Sequence, residues 1–255
     1  MSTSMIFEHP LNERIRTFLR IEHLFDQLQH FLRQQDAPAS RVAIMQLLDI
    51  ATITARADIK NEILKELERH LDILGRLANQ PGVDPAALEQ ILSNLDDAVD
   101  DIQSISHPVG QHAREDEFLK AIARRSSLPG GTCSFDLPYF QCWLNQAPEL
   151  RQAHFAHWLH DLVPAVKAIR LMLSLIRNSA SGRPMVAEEG FFQESLNPES
   201  PSQMLRISLD AALLVVPEIS GHKNRFSIRF MSAQPPEQPV PCSDDIPFKL
   251  TCCVF

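Results

Sequence analysis

Through the first two thirds of the chain, apolar residues recur at helical spacing. From Glu13 to Leu32, the residues Ile15, Phe18, Leu19, Phe25, Leu28 and Leu32 fall along one face of a 3.6-residue period. Asn12 stands where an N-cap side chain would accept a free amide. The same pattern predicts helices over Ser40 to Ala57 and over Asp58 to Ala78, the latter through Ile59, Ile63, Leu67, Leu71 and Leu74. Pro81-Gly82-Val83-Asp84-Pro85 interrupts it. Asp84 as N-cap, with Pro85 in the first turn, then opens a helix whose stripe is Leu88, Ile91, Leu92, Leu95, Val99 and Ile102. A further helix is expected from about Arg114 to Arg125, closed by the turn Pro129-Gly130-Gly131. Helical spacing resumes over Leu137 to Trp143, Pro148 to Leu162 and Val163 to Asn178. Long helices joined by short links imply a bundle.

After Asn178 the period shortens to two. Gly190 to Ser195, Leu205 to Asp210, Arg225 to Met231 and Pro247 to Cys253 are short, aromatic or alternating, and separated by proline and serine clusters. They predict a small antiparallel sheet. Strands after a run of helices define an α+β architecture, with a mainly helical domain over 1–180 and a β domain over 181–255. The most informative strand is the one that follows Ile219-Ser220-Gly221-His222. Phe226, Ile228 and Phe230 alternate with Lys223, Arg225, Ser227 and Arg229, so on a strand the first set faces a core and the second shares the outer face. Three cations in one row repel one another unless salt-bridge partners or an anionic ligand meet them.

Composition narrows the use of that row. The 255 residues are 44% hydrophobic, enough for a full core, and carry a formal net charge of −8. An acidic chain with a sequence pI near 5.7 lacks the basic footprint of a general nucleic-acid binder, so anion recognition has to be local. The flanking Phe226 and Phe230 point inward, leaving no aromatic platform beside the cations for base stacking. The segment from Met1 to Arg16 has no signal-peptide core, and the longest apolar run, Ala211 to Val216, is far short of a membrane span. A cytoplasmic location is expected. Five cysteines, Cys133, Cys142, Cys242, Cys252 and Cys253, form no C-x-x-C pair and fit reduced thiols better than a disulfide framework.

Phosphate-loop, dinucleotide-binding, zincin and nucleophile-elbow motifs are missing from the sequence. His154, His157 and His160 form the best metal candidate, and they define the alternative reading of a metal-dependent enzyme. On a helix they fan across roughly 120°, too wide for one ion to collect all three comfortably. Asp96, Asp97, Asp100 and Asp101 lack the glycine and terminal glutamate of a calcium loop and read as a solvated helix face or an acidic docking patch. Cys133 and Cys142 have no spacing relation to His154 or His222 that would support a nucleophile and base.

Several segments together resemble one family. They are Phe7-Glu8-His9-Pro10-Leu11-Asn12-Glu13-Arg14, Leu19-Arg20-Ile21-Glu22, Ile63-Leu64-Lys65-Glu66-Leu67, Pro81-Gly82-Val83-Asp84, Arg114-Glu115-Asp116, Pro129-Gly130-Gly131-Thr132-Cys133-Ser134-Phe135-Asp136-Leu137-Pro138 and Ile219-Ser220-Gly221-His222-Lys223. In order and spacing they are similar to the bacterial ZapD cell-division family. That resemblance implies a non-enzymatic homodimeric adaptor without cofactor or metal. It would bind the C-terminal tail of the tubulin-like division protein FtsZ, bundle FtsZ filaments at the mid-cell ring and lower FtsZ GTP turnover. Neither nucleic acid nor membrane is an implied partner. Carried onto this sequence, the family's basic pocket falls on Arg20 and Arg114 of the helical region and on Lys223, Arg225 and Arg229 of the strand. His222 and Arg16 are further members, and Arg56 stands at a similar helix-end position.

Overall fold

A computed structural model of the chain describes residues 4–56, 58–78, 80–222, 225–232 and 238–255. The chain divides into two compact units: Thr17–Met172, and the residues up to Arg16 together with Leu173–Phe255. The architecture is α+β, with helices first and antiparallel strands after them.

The helices of the described residues are α1 (Glu13–Leu32), α2 (Ala37–Arg56), α3 (Ile59–Gly75), α4 (Pro85–Ser104), α5 (Gln111–Glu115), α6 (Glu117–Ser126), α7 (Pro138–Leu144), α8 (Pro148–Trp158) and α9 (Leu162–Asn178). Their ends follow capping chemistry. Asn12 Oδ1 accepts the Ile15 amide at 2.9 Å, and Asp84 Oδ1 accepts the Ala86 amide at 3.0 Å ahead of Pro85. Ala57, the expected last residue of the second helix, lies outside the described residues. The single helix expected from Arg114 to Arg125 is two, α5 and α6. Asp116 adopts an extended backbone between them and turns its carboxylate onto the Leu119 amide at 2.9 Å. An aspartate that caps the following helix breaks the preceding one, because its side chain competes for the backbone donors.

In the helical unit, Ile44, Leu47, Ile63, Leu67, Leu95 and Ile169 are fully buried. An aromatic cluster fixes α6, α7 and α8: Trp158 stacks on Phe118 at 6.0 Å between centroids and donates Nε1–H to Asp116 Oδ2 at 2.9 Å. Arg151 of α8 is only 5% exposed, and its guanidinium has no carboxylate partner among the described residues. It donates instead to Ser40 Oγ at 3.1 Å, to the Leu144 carbonyl at 2.9 Å, and to the carbonyls of Gln146 and Gln35. A planar fork with five donors can satisfy several loop carbonyls at once, which is why arginine serves here.

The second unit holds strands β1 (Ser4–Pro10), β2 (Arg183–Ala187), β3 (Phe191–Ser195), β4 (Ser202–Asp210), β5 (Val215–His222), β6 (Arg225–Ser232) and β7 (Ile246–Val254). They form two antiparallel sheets, of order β1-β4-β7-β2 and β3-β6-β5, where the sequence pattern predicted one. Leu205, Ile207, Phe248 and Leu250 of the first sheet join Phe226, Ile228 and Phe230 of the second in one hydrophobic cluster. That makes the unit a sandwich whose strands alternate inward and outward. Strands β1, β2 and β5 are absent from the pattern-based expectation. Glu8 of β1 accepts from Arg177 Nη2 at 2.8 Å and Arg206 Nε at 2.9 Å, stitching the N-terminal strand to β4 and the end of α9.

Two substitutions test these assignments by urea unfolding. Arg151→Met removes every donor to those carbonyls and is expected to cost about 2–4 kcal/mol, with Arg151→Lys failing to restore it. Phe230→Ala empties a fully buried site in the sandwich and is expected to cost about 3–5 kcal/mol. A loss below about 0.5 kcal/mol, the range of ordinary surface changes, would contradict either assignment.

Candidate protein-binding face

The inward residues of β6 decide where its cations point. Phe226, Ile228 and Phe230 are 2%, 0% and 0% exposed, so the intervening Arg225 and Arg229 are turned outward, and both are exposed. Lys223 lies outside the described residues, as does the side chain of His222. Strand β6 is the central strand of its sheet, so its outer face is flanked on both sides. Arg225 stands opposite Ser195 and His222, Ser227 opposite Gln193 and Ser220, and Arg229 opposite Phe191 and Glu218.

This face is polar, with one large apolar element. Phe191 is 42% exposed, and the Arg229 guanidinium lies over its ring at 5.9 Å from the centroid. A concavity of about 780 Å³ runs beside it, lined by Phe191, Gln193, Ser195, Ser220, Arg225 and Ser227 among others. Among the described residues, neither Arg225 nor Arg229 has a carboxylate within ion-pair distance, although Glu218 is the direct register partner of Arg229 on β5. Nearby polar groups are serine hydroxyls, a glutamine amide, Glu218 and Glu194, the last of which lines the concavity with its carboxylate engaged by Arg183. A ligand that fits presents carboxylates to the guanidinium forks and an apolar side chain to Phe191.

Gly221, one residue before the end of β5, packs closely against Leu11 and His9. A Cβ there would lie 2.6 Å from Leu11 Cδ2 and 3.5 Å from His9 Nε2. Burial, and then the nearby charge of Arg16, holds the His9 pKa below its ordinary value, so this imidazole is neutral at neutral pH. Arg16 thus belongs to the surroundings of the β5–β6 end of the sheet, but its Nε is engaged by Glu13 at 3.1 Å.

The other expected basic residues belong to the helical unit. Arg20 is exposed on α1. Arg114 is half-buried, and its Nη1 donates to the Thr54 carbonyl at 2.9 Å, satisfying an acceptor in the last turn of α2. Together with Arg56 and Lys60 it lines a concavity of about 410 Å³. Arg114 is therefore at once a structural tie and part of a second basic hollow. Phe191 and the β5 residues beside Arg225 and Arg229 are not marked by the sequence; Phe191 lies inside an expected strand, but no pattern shows it as the aromatic exposed beside the arginines.

The three histidines of the enzyme alternative are not gathered around one point. His154 Nδ1 accepts the Trp143 Nε1–H at 3.0 Å, and its ring stacks on Trp158. His157 and His160 lie instead against His112, at 5.2 and 5.6 Å between ring centroids. Helical spacing had placed all three on a wide arc, and the aromatic cluster claims one of them. Asp96, Asp97, Asp100 and Asp101 are exposed on α4. Cys133 and Cys142 are exposed, while burial pushes the Cys253 thiol up to about 11. No helix among the described residues is long and apolar enough to cross a membrane.

Comparison with known proteins places the chain. A family model described as ZapD, cell division protein, matches residues 19–229. The cell division protein ZapD of Methylococcus capsulatus is 40% identical over 255 residues, covering 100% of both chains. That of Aromatoleum aromaticum is 37% identical over 247 residues, 97% of this chain and 96% of the relative. That of Nitrosomonas eutropha is 35% identical over 247 residues, 97% of this chain and 98% of the relative. With a family model spanning most of its length and full-length relatives of one name, the chain belongs to the ZapD family of cell-division proteins.

Proposed function

We propose that the chain is a non-enzymatic division adaptor that binds the C-terminal tail of FtsZ on the outer face of β6. As a homodimer it links two such tails, bundles FtsZ protofilaments at the mid-cell ring in the cytoplasm, and slows FtsZ GTP turnover. Membership of a cell-division family supports the setting. The observation that carries the tail-binding reading is the pair Arg225 and Arg229, exposed on a rigid central strand, without ion-pair partners among the described residues, beside the exposed ring of Phe191.

The physical logic is that of a short acidic and apolar peptide meeting a preformed site. Each arginine can hold a carboxylate through two parallel N–H donors, and the strand costs no ordering on binding because its register is fixed on both sides. Affinity per site is modest on such a small face. Two sites in one dimer raise the effective concentration of the second tail, so cross-linking gains from avidity without new contacts. Arg20, Arg114, Lys223, His222 and Arg16 are proposed as additional contributors to tail binding.

Arg225→Glu and Arg229→Glu are expected to leave the unfolding free energy within about 0.5 kcal/mol of wild type, since both side chains are exposed. Each is expected to abolish co-sedimentation of bundled FtsZ filaments. Wild-type levels of pelleted, bundled filaments with a folded Arg229→Glu variant would overturn the assignment of this face.

A further inference from the structure

Asp161, between α8 and α9, is a carboxylate taken out of water, at 1% exposure. Its Oδ2 accepts the Gln111 amide at 2.8 Å, while Oδ1 has no hydrogen-bond partner. No lysine or arginine pairs with it among the described residues. Burying an uncompensated carboxylate costs several kcal/mol, so its surroundings need a cation. Those surroundings are imidazoles. His107 Nδ1 lies 3.6 Å and His112 Nδ1 3.5 Å from the same Oδ2, neither as a hydrogen bond to it, and His112 Nδ1 is also without a partner. His157 and His160 pack their rings against His112.

We propose that His107, His112 and Asp161 form a binding site for one divalent transition-metal ion of the Zn²⁺ type, with a solvent molecule completing the shell. One ligand atom from each of the three residues lies within 4.8 Å of the others. Tetrahedral zinc with bonds of about 2.0 Å sets its ligands about 3.3 Å apart, close to the two separations from Asp161 Oδ2. Two imidazoles and one carboxylate select Zn²⁺, Co²⁺ or Ni²⁺ over Ca²⁺ and Mg²⁺, which prefer all-oxygen shells. His107 Nδ1 makes one weak contact, to the Pro108 carbonyl at 3.3 Å, which coordination would replace.

The scaffold around these ligands is already fixed. Gly110, just before α5, has φ of 79°, and a Cβ there would lie 2.6 Å from Thr54 Oγ1. Only glycine lets the chain turn so tightly, and this turn brings the Gln111 amide onto Asp161 Oδ2, where its hydrogen bond orients a ligating carboxylate. Val109 and Leu162 are buried on either side, whereas the side chains of His107 and His112 remain 28% and 29% exposed. An ion can enter from solvent and reach the buried oxygen. Bound there, it clips the segment 107–112 to the α8–α9 junction, a structural link within the helical unit that is independent of the β6 face.

The test uses the full-length protein without a histidine tag, stripped with a chelator and titrated with Zn²⁺ by calorimetry and with Co²⁺ by visible absorption. The expected result is one equivalent bound per chain, with the intense absorption of tetrahedral Co²⁺ and a thermal unfolding midpoint that rises with added Zn²⁺. His107→Ala and His112→Gln should each weaken binding at least about tenfold and remove the Zn²⁺-dependent rise, while keeping the circular dichroism of the stripped wild type. His154→Ala should bind as wild type does. Absence of saturable Zn²⁺ binding, or binding unchanged in both His107→Ala and His112→Gln, would overturn the proposal, as would binding that depends on His154.

Discussion

The burial of Phe226, Ile228 and Phe230 is the constraint on which the rest of the binding face depends. Each contributes about 2–3 kcal/mol by leaving water, and together they lock the register of the central strand of its sheet. A slip of one residue would drive Arg225 and Arg229 into an apolar core, where each unpaired charge costs several kcal/mol. The outward direction of the two guanidinium groups is therefore set by residues that never touch a ligand. The opposing sheet matters equally. Phe248 reaches both Phe230 and Phe192, and without that second layer the strand would have no inside to choose.

The charge arrangement is local and runs against the sign of the whole molecule. A chain of formal net charge −8 is not drawn to anionic partners at long range, so on the proposed function recognition by the β6 face would act over short distances. Exposed charges are screened beyond about 8 Å at physiological ionic strength, which favours a ligand that seats its carboxylates directly on the arginines. The surroundings, Ser195, Ser220, Ser227 and Gln193, are mostly uncharged; of the two nearby acids, Glu194 is held by Arg183 and Glu218 stands opposite Arg229 without reaching ion-pair distance. On the proposed function, this gives selectivity for a short tail over a bulk polyanion such as nucleic acid. A ring-stacking platform beside the cations would serve the latter, and Phe191 alone cannot track a strand of bases.

Much of this was legible in the sequence, and the failures have physical causes. The ends of α1 match the pattern to the residue, because Asn12 supplies a side-chain cap that the sequence displays openly. Strand β1 was missed because Ser4–Pro10 carries a glutamate, a histidine and a proline. Its strand character comes from pairing with β4 some two hundred positions later and from the Glu8 contacts with Arg177 and Arg206, which no local window contains. Pro217 and Gly221 hid β5 in the same way. Pro217 is tolerated because β5 is an edge strand, and Gly221 leaves room for the Leu11 side chain. The outward row of β6 was readable because period-two alternation is a property of the chain alone. The missing carboxylate partners and the Phe191 shelf were not readable, since both depend on which strands flank it. Likewise the three helical histidines drew notice by spacing, whereas the grouping of His107, His112 and Asp161 arises only once α5 folds against the α8–α9 junction.

On the proposed function, Arg225 and Arg229 seat the carboxylates of the FtsZ tail. The most direct measurement is fluorescence anisotropy of a labelled FtsZ C-terminal tail peptide titrated with the purified protein at low and at physiological salt. Saturable binding is expected, weakening as salt rises and lost when the peptide's carboxylates are replaced by amides. Absence of binding at low salt, or binding indifferent to both salt and the peptide's carboxylates, would contradict that reading.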